Sequence, residues 1–205
     1  MGSSNKKEFW EKKWKGTTLP AFHNLELSES VKSFEKYFTP TSEVLIPLCG
    51  KTVDLIYLSK KVLKVTGVEF VQTAIDQFFT ENNLEPVIQN EHYTYSNIDI
   101  VNLDIFTLDL NKKFDLVVDR AALIALPKVE RKKYGKVVDH HLKPSGLVIL
   151  TTIDIPKEED NGPPFYVSSE EVKELYPMYE TLKQKTFLSK SGAKCEIYLL
   201  KKLPS

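Results

Sequence analysis

From Glu43 onward, short apolar runs alternate with segments whose apolar residues recur every three or four positions. Val44–Leu48 is a run of strand length, and Lys51–Lys61 after it carries Val53, Leu55, Ile56 and Leu58 at helical spacing. Lys64–Glu69 predicts a second strand, and Thr73–Asn83 a helix that turns Ala74, Ile75, Phe78 and Phe79 inward. Ile98–Leu103, Phe114–Asp119 and Gly146–Asp154 predict three further strands, bounded by polar residues or by Gly and Pro. Lys128–Leu142 predicts the helix before the last of these, stopped by Lys143-Pro144-Ser145-Gly146. His140 and His141 at its end are placed to complement the helix dipole. Strands alternating with helices make βαβ units, which imply a largely parallel sheet with helices on both faces.

The two ends of the chain follow other patterns. Ser168-Ser169-Glu170-Glu171 opens a short helix with a serine cap and acids in its first turn. Thr181–Leu188 and Ala193–Lys202 are strand-like runs joined by Ser189-Lys190-Ser191-Gly192, which predicts an antiparallel hairpin at a sheet edge. The predicted fold class is therefore α/β: a Rossmann-like, seven-stranded, mostly parallel sheet with helices on both faces and a C-terminal antiparallel hairpin. At the other end, Lys6–Lys15 carries Trp10 and Trp14 four apart, on one helical face, and Ser28–Tyr37 is amphipathic. Residues 1–205 are expected to form a single domain, with 1–40 as a helical lid segment and 41–205 as the Rossmann-like core.

Composition narrows the partners. A chain of 205 residues buries one sizeable core. Lys+Arg and Asp+Glu both total 28, so no net field favours nucleic acid or an acidic membrane surface, and neither partner is expected. Apolar runs such as Leu147–Leu150 are too short to span a bilayer. The two cysteines, Cys49 and Cys195, make no disulfide framework, and no apolar leader follows Met1, so the expected location is cytoplasmic. Lys6 stands where a myristoylation motif wants Ser or Thr. His23, His92, His140 and His141 show no metal-ligand spacing with the cysteines, so no metal is expected. The chain is expected to act as a monomer on a small molecule.

In an open parallel sheet, ligands bind beyond the carboxyl ends of the strands, where the strand order reverses. The polar residues that stand out fall at these ends. Pro47-Leu48-Cys49-Gly50-Lys51 is a tight strand-to-helix turn whose backbone N–H groups face outward, and Gly50 permits close backbone approach. A plain βα turn would look the same. Glu69 ends the second strand 19 positions after Gly50, where a carboxylate accepts hydrogen bonds from both ribose hydroxyls of an adenosine; a solvated charge is the bland alternative. Asp104 after the third strand is placed to accept from an adenine amino group, with Ile105 against the ring, or is an ordinary loop acid. A dinucleotide site would show G-x-G-x-x-G because a pyrophosphate needs close approach at several points; one glycine here favours a ligand without phosphates, such as S-adenosylmethionine.

These residues also carry a specific likeness. Ile46–Asp54 contains Pro47-Leu48-Cys49-Gly50-Lys51 with Asp54, which resembles the PLCGK-x-x-D signature of the thiopurine methyltransferase family. Asp119–Leu126 resembles its DR-x-AL segment, with Arg131 and Tyr134 continuing the likeness, and Gly162–Phe165 resembles its GPPF block. Trp10, Trp14 and Phe22-His23 are similar to its N-terminal aromatic stretch, and Gly67-Val68-Glu69 with Phe78-Phe79 to its second-strand region. The resemblance implies S-adenosylmethionine as cofactor and S-adenosylhomocysteine as product, held by Trp10, Trp14, Leu48, Gly50, Glu69, Asp104, Ile105 and Arg120. It further implies an acceptor lined by Phe22, Arg120 and Phe165, in a transfer of methyl to a small thiol of thiopurine or aromatic type.

The residues themselves leave alternatives open. Trp10 and Trp14 at helical spacing also suit core packing, Arg120 suits a pair with Asp119 or Glu130, and two prolines can fix a loop without touching substrate. Cys49 has no base near it in sequence and reads as a packed, inert thiol. No residue is assigned as a catalytic acid or base, because acidic thiols ionise near neutral pH by themselves. Methyl transfer to selenium, tellurium or halide acceptors, and cofactor binding without catalysis, are the other functions this pattern admits.

Overall fold

In the computed structural model, residues 3–16, 20, 23–155, 162–189 and 192–204 are described. Helix α1 (Ser3–Trp14) and a short α2 (Glu29–Ser33) precede the sheet. Then follow β1 (Glu43–Pro47), α3 (Asp54–Ser59), β2 (Lys64–Val68) and α4 (Gln72–Glu81). Strands β3 (Val87–Gln89), β4 (His92–Tyr95) and β5 (Ile98–Val101) come next, then β6 (Phe114–Asp119), α5 (Ala122–Ala125) and α6 (Lys128–His141). The chain closes with β7 (Leu142–Asp154), α7 (Ser169–Leu175), β8 (Tyr179–Leu188) and β9 (Lys194–Lys202). Lys190 and Ser191, in the turn expected between the last two strands, lie outside the described residues.

The strands form one sheet in the order β3-β4-β5-β2-β1-β6-β7-β9-β8. β5, β2, β1, β6 and β7 run parallel, and β9 joins antiparallel between β7 and β8. After β1 the chain moves to β2 on one side and returns to β6 on the other, so the order reverses between β1 and β6. Side-chain alternation divides the core. Val44 and Ile46 join a cluster with Leu55, Ile75 and Phe78 of α3 and α4, while Leu45 joins one with Leu123, Tyr134 and Val172 of α5, α6 and α7. Helices thus cover both faces, because the central strands β1 and β6 are apolar on both.

The sheet has nine strands, not seven. The two additional ones, β3 and β4, form a hairpin that extends the β5 edge antiparallel, and Asn90 at φ 53 makes its turn. Val87, Ile88 and Gln89 are all exposed, so backbone pairing alone builds β3 and no apolar alternation announces it. His141 also departs from expectation. It is buried, its ring Nδ1 lies 2.9 Å from the Val137 carbonyl, and burial lowers its pKa, so it packs as a neutral ring.

One buried cation ties the second face together. Arg131, 2% exposed, donates from Nε to the Leu126 carbonyl and from Nη1 to the Tyr166 carbonyl and both Glu171 oxygens, all at 2.9–3.0 Å. It joins α5, α7 and the 162–167 segment through polar groups that have little access to water. Arg131→Met should lower unfolding stability by about 3–5 kcal/mol in urea titration, because Glu171 and two carbonyls lose their partner. A loss below about 1 kcal/mol would show that the chain reorganises around the gap.

Candidate active site

The site forms at the carboxyl ends of β1, β2, β5 and β6. Past β1 the backbone turns sharply, with Leu48 at φ 46 and Gly50 at φ 52, both left-handed. The Leu48 conformation is uncommon for a residue with a Cβ and marks a turn held by its surroundings. Cys49 N–H donates to the Val68 carbonyl at 2.9 Å, which keeps the turn against β2. A Cβ on Gly50 would come within 2.7 Å of Trp14 Cζ2, so only glycine lets α1 rest on this turn. Trp14 is buried against Val71 and Ala74, with Trp10 packed on the same cluster. Lys51 stands 5.9 Å from the Trp14 ring centre and pairs with Glu81 at 2.6 Å, while Gln77 donates to the Trp14 carbonyl at 3.2 Å. Both indoles expected on one helical face are therefore used to seat α1 over the turn.

Glu69 follows β2 and is 5% exposed. One oxygen accepts from Val71 N–H at 2.8 Å and the other from Gly50 N–H at 2.9 Å. Burial pushes its pKa up to about 7, and the N–H groups of Val71, Gly50 and Phe70 oppose that rise. Each oxygen retains a further lone pair for a ligand hydroxyl. Beyond β5, Asp104 Oδ1 accepts from Phe106 N–H at 3.0 Å and caps the turn that buries Ile105.

At the end of β6, Asp119 is fully buried. Its Oδ1 accepts from the N–H groups of Ala122 and Leu123 at 2.8 and 3.1 Å, and its Oδ2 from the Tyr134 hydroxyl at 2.7 Å. Burial raises its pKa to about 6, against those three donors. Asp119 is thus committed to α5 and Tyr134, and it fixes the backbone that carries Arg120. Burial lowers the pKa of Arg120 and the charge of Asp54 opposes this; the guanidinium remains a cation. His23 is buried edge-on to Trp14, with ring centres 5.8 Å apart. Burial first, then the charges of Lys51 and Arg120, lower its pKa to about 4, so near neutral pH it is an uncharged ring. Cys49 is buried and its pKa is raised well above the usual thiol range, which makes it the inert thiol expected.

These parts enclose a cavity of about 450 Å³. Trp10, Trp14, Leu48, Gly50, Glu69, Asp104, Ile105 and Arg120 all line it. Two further residues are expected at the acceptor. Phe22 lies outside the described residues. Phe165 is not among the lining residues: its N–H donates to the Ile124 carbonyl of α5 at 2.7 Å and its ring centre lies 5.9 Å from the Arg131 guanidinium carbon. The cavity also uses residues that the sequence reading did not single out for it, including His23, Phe70, Phe106, Leu126, Glu130 and Lys133. The i, i+3 spacing of Glu130 and Lys133 is the one signal that places them on a common face of α6.

This arrangement fits an adenosyl ligand without phosphates. A buried carboxylate with open lone pairs lies beyond β2, apolar walls from Ile105, Phe106 and Leu126 suit a flat ring, and the one glycine-containing turn lies against that carboxylate. Among the described residues no group of three or more His, Cys, Asp and Glu side chains is arranged to hold a metal ion, and no helix is long and apolar enough to cross a membrane.

The family model for thiopurine S-methyltransferase (TPMT) matches residues 5–196. Thiopurine S-methyltransferase of Vibrio campbellii is 38% identical over 180 residues, covering 84% of this chain and 82% of that protein. The protein of the same name from Aliivibrio salmonicida is 38% identical over 176 residues, covering 82% of each chain. Among solved structures, the N-methyltransferase NodS from Bradyrhizobium japonicum, in complex with S-adenosyl-L-homocysteine, superposes with a TM-score of 0.73 at 13% identity, over 97% of this chain and 98% of that one. A SAM-dependent methyltransferase from Anabaena variabilis gives 0.69 at 17% identity, over 97% and 95%. The family model spans most of the chain and the relatives of that name are 38% identical over more than four fifths of it, so the chain belongs to the thiopurine S-methyltransferase family, a family of S-adenosylmethionine-dependent methyltransferases.

Proposed function

We propose that the protein transfers the methyl group of S-adenosylmethionine to a small, anionic thiol of thiopurine or aromatic type. The observation that carries this reading is the position of Arg120: a cation in the cavity wall, on a backbone fixed by buried Asp119. In this reading Glu69 accepts from the ribose hydroxyls and Asp104 with Ile105 meets the adenine. Trp10, Trp14, Leu48 and Gly50 surround the methionine portion. Arg120 lies at the junction with the acceptor. Residues 1–40 act as the lid on a core formed by 41–205.

When bound, S-adenosylmethionine supplies a methyl carbon made electrophilic by its sulfonium. The acceptor thiolate attacks that carbon in line, the carbon–sulfonium bond breaks, and its electron pair remains on the departing thioether. The chain contributes by holding the two reactants in register, which is worth about 7–11 kcal/mol when the alignment is good. Positive charge is lost as the sulfonium reacts, so aromatic walls from Trp10 and Trp14 that exclude water favour the step. Arg120 holds the anionic acceptor by charge and hydrogen bonding. His23, with a pKa of about 4, is too weak a base to deprotonate a thiol at neutral pH, which supports an acceptor that arrives ionised.

The test is turnover of an aromatic thiol and a thiopurine beside iodide and selenite, with S-adenosylhomocysteine measured as product. Thiol turnover well above the other two is expected. Turnover of iodide or selenite alone would overturn the acceptor assignment.

A further inference from the structure

Lys133 of α6 lines the cavity and has no part in the proposed function. It is exposed, and its Nζ lies 4.9 Å from the ring centre of Phe106, which lines the same cavity. At that distance an ammonium group is attracted by the negative face of an aromatic ring. Phe106 is the middle residue of one 3-10 turn, Ile105–Thr107, that follows Asp104. Three hydrogen bonds tie this turn to Asp104. Phe106 N–H donates to Asp104 Oδ1 at 3.0 Å, and the Thr107 N–H and hydroxyl both donate to the Asp104 carbonyl at 2.9 Å. Ile105, 5% exposed, anchors the turn in the core, and Lys133 ties the half-buried Phe106 ring to α6. Asp104 spends Oδ1 within the turn, which leaves Oδ2 to accept from a ligand.

We propose that Lys133 is a positioning residue for the nucleobase: its ammonium holds the Phe106 ring against α6, and the turn so fixed sets the Asp104 carboxylate for the 6-amino group of adenine. The proposal rests on the assignment of adenine to Asp104 and Ile105. Lys133 acts through Phe106, and it governs which base is accepted rather than how the rest of the ligand is held. Without the cation the turn must be ordered when the ligand arrives, and that cost falls on the contact with the base.

The experiment is calorimetry with two ligands that differ only at the base. S-adenosylhomocysteine carries the amino group, and S-inosylhomocysteine has a 6-oxo group in its place. Wild type should bind the adenosyl form at least about tenfold more tightly, since an oxo group and a carboxylate are both acceptors. Lys133→Met keeps most of the apolar stem and removes the charge. It should weaken the adenosyl form about two- to fivefold, the scale of a cation–ring contact at an exposed site, and leave the inosyl form unchanged. Lys133→Arg returns a cation to the ring and should restore wild-type affinity. In a Phe106→Leu background Lys133→Met should have no further effect, because its route to the base is gone. Equal weakening of both ligands, or the same effect of Lys133→Met with and without the Phe106 ring, would overturn the proposal. If Phe106→Leu does not fold, Lys133→Arg decides: an adenosyl affinity as low as that of Lys133→Met overturns it. Equal binding of both ligands by wild type is a different failure, which removes adenine from Asp104 and the role of Lys133 with it.

Discussion

Glu69→Ala should weaken binding of S-adenosylhomocysteine by about 30- to 150-fold in calorimetry, on the scale of two hydrogen bonds to a charged, buried acceptor. The carboxylate is 5% exposed and already takes the N–H groups of Gly50 and Val71, so its orientation is set before any ligand arrives. The alanine variant loses the acceptor for the ribose and also leaves those two donors unpaired. Glu69→Gln separates the two losses, since its single amide oxygen satisfies one donor and offers no charge. The wild type should also bind more tightly as pH rises from 6 to 8, because the carboxyl, with its pKa near 7, ionises over that interval and the ionised form is the better acceptor. The glutamine variant should show no such slope. The unliganded protein should move the opposite way. A carboxyl whose pKa is raised in the folded state contributes stability below its unfolded pKa, and that contribution is lost as pH rises through about 7. Equal affinity of wild type at pH 6 and pH 8 would remove Glu69 from the ribose.

Arg120→Gln should lower kcat/KM for an anionic thiol by about 100- to 1,000-fold, the scale seen when a group that stabilises charge in a water-poor site is removed. Its effect on S-adenosylhomocysteine binding should be no more than a few-fold. Arg120→Lys keeps the charge without the planar fork and should recover part of the loss. The comparison that matters is between acceptors. An ionised thiol should lose far more than a neutral one of similar size, and equal losses would mean that Arg120 supports the cavity rather than the acceptor.

Much of the core was legible because strands announce themselves by alternation. Phe114–Asp119 is the strand predicted, and Glu69, Asp104 and Arg120 could be placed together because parallel strands bring their carboxyl ends to one edge. The cap at Ser168, accepting from Glu171 N–H, follows from local chemistry alone. Phe165 illustrates the limit. Its block was recognisable, but whether the ring enters the cavity or packs behind it depends on Arg131, which draws the 162–167 segment toward α5 and α7.

The sequence alone determined the alternation of strands and helices, the turn after β1 and the acids that follow β2 and β5, because each depends on neighbours a few positions away. Tertiary structure decided how α1 seats on Gly50, that Glu130 and Lys133 of α6 enter the cavity wall, and that the β3–β4 hairpin extends the β5 edge. Trp14 and Gly50 stand 36 positions apart, and the hairpin on the β5 edge, though local in sequence, has no apolar alternation to announce it. Side-chain burial and charge compensation select contacts between distant residues, and neither has a period along the chain.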